Sequence, residues 1–277
     1  VGSEMCIRDR DWGIYAANLT LGLYTFPFSI LVAIGHRIYV AIAEVPKFFQ
    51  RIDRSSKTRI KITKTFSNYL IASIASIIVY APWIVFLTQI DETKMGTWRQ
   101  TTLPFSGLLE NWLIQTSIIF ADLNPEYHGN TTSSLKTFYN PIFFYPLIFV
   151  WVIILYSLYF LVRNSPKSIW SFILPLILVT ALALALPDLI FGGRRSAVAR
   201  YLIPCYLGIQ LSIVYLFSTK IYFQSTRLLP RKIWQFIFVI ILSMQVASCS
   251  LIINSPSWWN KFVHFQNIPI ANIINRS

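Results

Sequence analysis

Charge is scarce in this sequence. Asp, Glu, Lys and Arg make up 13% of its 277 residues, about half the roughly 25% of an ordinary soluble domain. That scarcity argues against a water-exposed globule. Acids are the scarcer sign, 11 against 24 basic residues, which leaves a formal net charge of +13. Histidine and cysteine occur three times each. Cys6, Cys205 and Cys249 lie far apart, and the last two sit inside apolar runs. Neither a zinc-type spacing nor a disulfide framework follows, so the thiols read as small apolar filler. The sequence has no Walker loop, GxSxG elbow, HExxH pair or dinucleotide-binding glycine fingerprint, so soluble nucleotide chemistry has no support. No fixed-period repeat and no low-complexity segment is evident.

What the sequence has is apolar length. It is 55% hydrophobic and 16% aromatic, with a mean hydropathy of +0.55. A spanning helix needs about 20 mostly apolar residues, and several such stretches follow one another. The fold class expected is an all-α integral membrane protein, a bundle of about six or seven transmembrane helices with outer loops. The excess of basic residues sits in short segments between apolar runs, the positive-inside pattern. With no basic and aromatic recognition module, nucleic acid is not an expected partner; membrane lipids are.

Residues 1–10, VGSEMCIRDR, lack a charged-then-apolar signal layout. They resemble a spurious peptide found at the ends of conceptual translations, and are set aside. The remainder then reads as a fragment cut on its N-terminal side, with a transmembrane domain over 11–253 and the start of an outer tail over 254–277.

The apolar stretch 12–43 is too long for one upright span. Pro27, in YTFPF, removes a backbone donor and breaks or kinks a helix. The spacing predicts two short helices, 12–25 and 28–43, joined as a hairpin; one long kinked helix is the alternative. Between 47 and 64 lie Lys47, Arg51, Arg54, Lys57, Arg59, Lys61 and Lys64, with Asp53 the sole acid. This reads as a cytoplasmic loop, or as a site for anionic lipid. A helix is predicted over 66–88, with a possible kink at Pro82. A long polar loop, 89–141, contains the partly amphipathic stretch 107–123, which could lie along the membrane surface. Four more helices are predicted at 142–162, 169–190, 201–219 and 233–253. The second of these ends at Pro187 and Asp188. Trp258 and Trp259 in the tail read as interfacial aromatics.

Alternating the loops from a cytoplasmic 44–64 puts fourteen lysines and arginines on that side and eight on the other. The 89–141 loop, the 191–200 loop and the tail then face outward. The outward face holds the candidate chemistry. FGGRRSAVAR puts Arg194, Arg195 and Arg200 within seven residues, where the positive-inside tendency disfavours them. Gly192 and Gly193 allow a tight turn. Guanidinium groups fork onto phosphate, so these arginines, with Tyr201, are candidate phosphate-binding residues. Pairing with headgroups or with Asp188 is the plainer alternative. Asp122 and Glu126, in FADLNPEYHG, are possible outer-loop acids, able to act as a base, a metal ligand or a sugar partner, or to be ordinary loop acids. His128 beside them does not make a metal site, and none is expected. His36 reads as a helix-end residue. Asn130, Thr131 and Thr132 match a glycosylation acceptor, which in a bacterial chain carries no meaning.

Five segments taken in order carry a resemblance. DWGIYAANLTLGLYTFPFSILVAIGHRIYV resembles the GLYT-type helical hairpin of the polytopic membrane glycosyltransferases of family 39, a group that includes Rgt-like and aminoarabinose-transferase-like enzymes. NWLIQTSIIFADLN resembles an outer-loop segment of cyanobacterial members. PDLIFGGRRSAVARYLIPCYLGIQL resembles their Arg-Tyr-Leu-x-Pro helix start, while SWWNKF and IANIIN resemble the start of their outer tail. The resemblance covers most of residues 11–277. It implies a GT-C membrane fold in the bacterial inner membrane. It also implies an activity: transfer of a hexose or pentose from a polyprenyl-phosphate-linked donor to a glycan, lipid or protein acceptor on the outer side. No further cofactor is implied.

The family's catalytic acid lies in a first outer loop ahead of the region present, so no catalytic aspartate carries over. Only Arg200 and Tyr201 match. The expectation is that this fragment alone is inactive. A polytopic lipid or glycan transporter or flippase is the alternative; against it, no charged residue sits centrally in a predicted span, where transport pathways often place one. A non-enzymatic membrane scaffold is the third reading.

Overall fold

The computed structural model describes residues 9–54, 64–89, 102–122, 141–223, 228–254 and 274–275. Every regular element among them is helical. In chain order these are α1 (Asp9–Thr25), α2 (Ser29–Arg54), α3 (Lys64–Thr88), α4 (Phe105–Ile118), α5 (Pro141–Asn164), α6 (Lys167–Phe191), two 3-10 turns (Arg195–Ala197 and Ala199–Leu202), α7 (Ile203–Ser218), a π turn (Thr219–Phe223) and α8 (Leu228–Asn254). Five helical stretches are long and apolar enough to cross a membrane: Phe66–Phe86, Phe144–Asn164, Lys167–Phe191, Ala199–Tyr222 and Arg231–Asn254. A shorter apolar helix covers Ser29–Ala43. The chain is a multi-pass membrane protein. The count of six or seven included both arms of the first hairpin, and α1, at 17 residues, falls short of the ~20 that an upright span needs.

Prolines mark several boundaries. Pro104 and Pro166 stand at the N-caps of α4 and α6 in extended geometry, and Pro141 opens α5, where a missing N–H costs nothing. Pro27 separates α1 from α2, as expected. Pro82, Pro146, Pro175 and Pro187 stay inside helices, which neighbouring helices in a membrane tolerate. Thus α6 does not stop at Pro187 and Asp188 but runs to Phe191. Its true terminator is the pair Gly192 and Gly193, at φ 73° and 140°, a backbone region that residues with a Cβ rarely enter.

The chain divides into two compact units. The first combines residues 1–101, 165–193 and 200–208. Here α1 packs along α3, and α2 packs along α6. The hairpin reading of 12–43 holds. Tyr15 Oη and His36 Nδ1 share a 3.2 Å hydrogen bond, although a continuous helix would set residues 21 positions apart at roughly 30 Å. Tyr69 donates to Ala33 O (2.6 Å), Ser76 to Ala16 O (3.0 Å) and Tyr24 to Val79 O (2.8 Å), so α1 and α3 run parallel.

Small residues bring the backbones of this unit together, as at many membrane helix interfaces. A Cβ on Gly35 would lie 3.5 Å from Pro175 O; one on Gly208 would lie 2.5 Å from Ile177 Cγ1. Between these glycines α6 is held from two sides at nearly one level.

The second unit combines residues 102–164, 194–199 and 209–277. Its core is α5, the later turns of α7, and α8. Ser157 and Ser212 are fully buried and share a 2.9 Å hydrogen bond. Tyr156 stacks on Trp234, and Phe217 meets Trp234 edge-on. Leu161 and Leu216 are completely enclosed.

Helix α4, the stretch expected to lie along the membrane surface, packs on α5 and on the Arg195–Ala197 turn. Its polar residues Asn111, Gln115, Thr116 and Ser117 are buried, while Phe105 and Leu109 are exposed. The buried face also holds Leu108 and Ile114, so α4 presents no single polar face to water. Trp151, ten residues into α5, donates its indole N–H to Leu113 O (3.0 Å). At 1.5 Å per residue, that contact lies about 15 Å in from the start of α5.

Candidate functional site

Within the first unit, Tyr201 stacks on Phe28 in the α1–α2 turn, with ring centroids 4.5 Å apart. Phe28 in turn lies 5.5 Å from Phe26. Arg200 places its guanidinium carbon 5.2 Å from the Tyr201 ring centroid, and its Nη2 donates weakly to Tyr201 Oη at 3.4 Å. Cation–π contact of this kind contributes about 0.5–1 kcal/mol where exposed. Arg200 is exposed and Tyr201 half-buried. The result is a cation on an aromatic platform, open on its other face.

Two registers give the platform's depth. Gly35 lies level with Pro175 and Leu176, and Phe28 is seven residues toward the turn, about 10 Å higher. Gly208 lies level with Ile173 and Ile177, and Ile203 and Arg200 precede it by five and eight residues. Both counts put Arg200 near the level of Ala183, roughly 12 Å short of the end of α6. Measured from Lys167, about 20 residues of α6 cross the hydrocarbon, which brings the far boundary close to Pro187 and Asp188. On that placement of the boundary, Arg200 starts about 6 Å below it, a gap its stem can bridge. The mouth of α7 thus lies below the end of α6.

Asp188 is 2% exposed, and its Oδ1 lies 2.7 Å from where a Cβ on Gly193 would stand. Gly193 is thus constrained twice, by φ and by a carboxylate packed on its backbone. The rest of the arginine loop belongs to the second unit. Arg195 is exposed and Arg194 half-buried, while Ser196 and Ala197 are buried. Ala197 N donates to Arg194 O (3.1 Å) and Val198 N to Arg195 O (3.2 Å), closing the 3-10 turn. Gln115 Nε2 on α4 donates a short hydrogen bond to Ala197 O. Asp122, at the end of the α4 segment, is buried, and its backbone N–H donates to Ser248 Oγ on α8 (3.0 Å). Glu126, His128, Asn130, Trp258 and Trp259 lie outside the described residues, as do residues 55–63 of the basic segment 44–64; its first half is not the expected loop, because α2 continues as helix to Arg54. No cluster of three or more His, Cys, Asp or Glu able to hold a metal occurs among the described residues.

Of the residues singled out in the sequence, the structure brings Arg200 and Tyr201 together. Phe28 and Gln115 were missed. The aromatic YTFPF turn was a visible signal for Phe28. Nothing in the sequence pairs Gln115 with a carbonyl 82 residues away.

Searches against protein-family models, curated proteins and solved structures give no match for this chain.

Proposed function

We propose that this chain carries the transmembrane helices of a GT-C-like glycosyltransferase, one that takes a sugar from a polyprenyl-phosphate donor on the outer side of a bacterial inner membrane. The observation that carries the reading is the recessed Arg200 on Tyr201 and Phe28. A lipid-linked donor keeps its phosphate at headgroup depth, its chain in hydrocarbon and its sugar in water. A guanidinium starting about 6 Å below the boundary meets the phosphate from the lipid side. As the sugar leaves, negative charge grows on that phosphate, and a fixed guanidinium stabilises it. In this reading Arg200 binds the donor, Tyr201 and Phe28 hold its plane, and Arg194 and Arg195 are secondary candidates. The acid that activates the acceptor is assigned to no residue here. The sequence resemblance supports the same class.

The test uses the full-length protein, reconstituted in liposomes with a polyprenyl-phosphate-linked radiolabelled sugar. The label is expected to leave the polyprenyl carrier for an acceptor or for water. If the intact donor instead crosses the bilayer uncleaved, the protein is a flippase. If the donor is neither cleaved, moved nor bound, the reading fails.

A further inference from the structure

The second unit carries a groove of about 800 Å³ between α7, its π turn and α8. It runs along α8 from Gln235 to Gln245 and along α7 from Gln210 to Tyr222, with Phe217 and Val239 on its walls. At 1.5 Å per residue these runs are about 15–18 Å long. That is half the ~30 Å hydrocarbon thickness, the depth of one leaflet. A helix of a second copy would need a face twice as long to cross beside it. Both walls belong to membrane-spanning stretches, so hydrocarbon chain is the medium that meets the groove.

One end of the groove is basic. Tyr222 and Gln235 line that end. Lys220 lies within the π turn, its Nζ 4.7 Å from the Phe160 ring centroid. Arg231 and Lys232 lie one turn of α8 before Gln235, and Arg163 lies one turn beyond Phe160. Acids are absent from this end: the described acids of the unit are Glu110 and Asp122, on and just after α4. The π turn closes α7 and leaves Tyr222 77% exposed.

We propose that this groove is a binding site for an anionic glycerophospholipid of the leaflet at the basic end, distinct from the Arg200 platform and independent of the proposed sugar transfer. One acyl chain lies between Gln235 and Gln245. The phosphate faces Arg231 and Lys232; Lys220 sits on Phe160, on the α5 side of the π turn. The Gln235 amide and the Tyr222 hydroxyl donate to the ester carbonyls, at the level where chain meets headgroup. Clustered basic residues at a membrane surface each attract anionic lipid by about 1 kcal/mol. Two of them correspond to a preference of roughly 10- to 100-fold over a zwitterionic lipid.

The test is native mass spectrometry of the full chain released from nanodiscs holding equal phosphatidylglycerol and phosphatidylcholine with matched chains. The wild type is expected to retain phosphatidylglycerol over phosphatidylcholine by roughly tenfold or more. Val239→Trp fills the groove from a half-exposed position and is expected to lower retention of both lipids by about tenfold. Leu242→Trp serves the same purpose should Val239→Trp fail to fold. Replacing Arg231 and Lys232 together by Ala is expected to erase the preference while leaving some retained lipid. Equal retention of the two lipids by wild type would overturn the proposal. So would undiminished retention in a folded groove-filled variant, or a retained mass equal to a second copy of the chain.

Discussion

Gly193 and Asp188 lie so close that the glycine has no room for a side chain: a Cβ would sit 2.7 Å from the carboxylate Oδ1. The same glycine has φ 140°. Gly193→Ala therefore meets both a clash and an unfavourable backbone, and is expected to lose about 1–3 kcal/mol. Thermal unfolding in detergent reads this. Asp188→Ala in the Gly193→Ala background removes the clash but not the strain, so it should restore only part of the loss. Full restoration would show that φ contributes nothing.

Gly208 sets the spacing of α7 on α6. Adding a methyl, Gly208→Ala, is expected to overpack against Ile177 and cost about 1–3 kcal/mol. Ile177→Ala removes the atom in the way. The two changes should be non-additive, with the double variant more stable than the sum of the single losses implies. Strict additivity of the melting shifts would mean that the two residues do not meet.

Gln115 holds the second half of the arginine loop through the Ala197 carbonyl. Gln115→Ala leaves that buried carbonyl without its donor, at a cost of about 1–3 kcal/mol. Gln115→Glu, ionised, cannot donate either and should behave alike. Limited trypsin digestion after Arg194 and Arg195 should be faster in both variants. Unchanged digestion would show that α4 does not restrain the loop.

The positive-inside count gives a topology that chemistry can read. Single cysteines in 89–141 should react with an impermeant maleimide in intact cells, and those in 44–64 only after permeabilisation. The background is a variant with Cys6, Cys205 and Cys249 replaced by serine. The reverse labelling pattern would invert the orientation.

The helices were largely legible in the sequence because apolar length and proline are local signals. Pro27 announced the first hairpin, and the two glycines at 192–193 announced the turn after α6. Two features were not legible. The helix α4 looks like a surface helix by pattern, yet buries Asn111 and Gln115, since which face a neighbour covers depends on tertiary packing. The depth of Arg200 was also hidden. It depends on where Gly35 and Gly208 set the heights of α2 and α7 against α6, and no spacing within one segment encodes that register. Arg200 and Tyr201 were found because they are adjacent in sequence; their platform partner Phe28 lies 173 residues away.

The donor role of Arg200 is tested most directly by the apparent affinity for a polyprenyl-phosphate-linked sugar. It is measured on the full-length protein, reconstituted as wild type, Arg200→Lys and Arg200→Ala. A charge-assisted forked contact contributes about 1.5–3 kcal/mol, so Arg200→Ala should bind donor roughly 10- to 100-fold more weakly. Lysine keeps the charge but loses the fork, and should fall between the two. Arg200→Ala protein that inserts and folds normally yet binds donor as tightly as wild type would contradict the assignment.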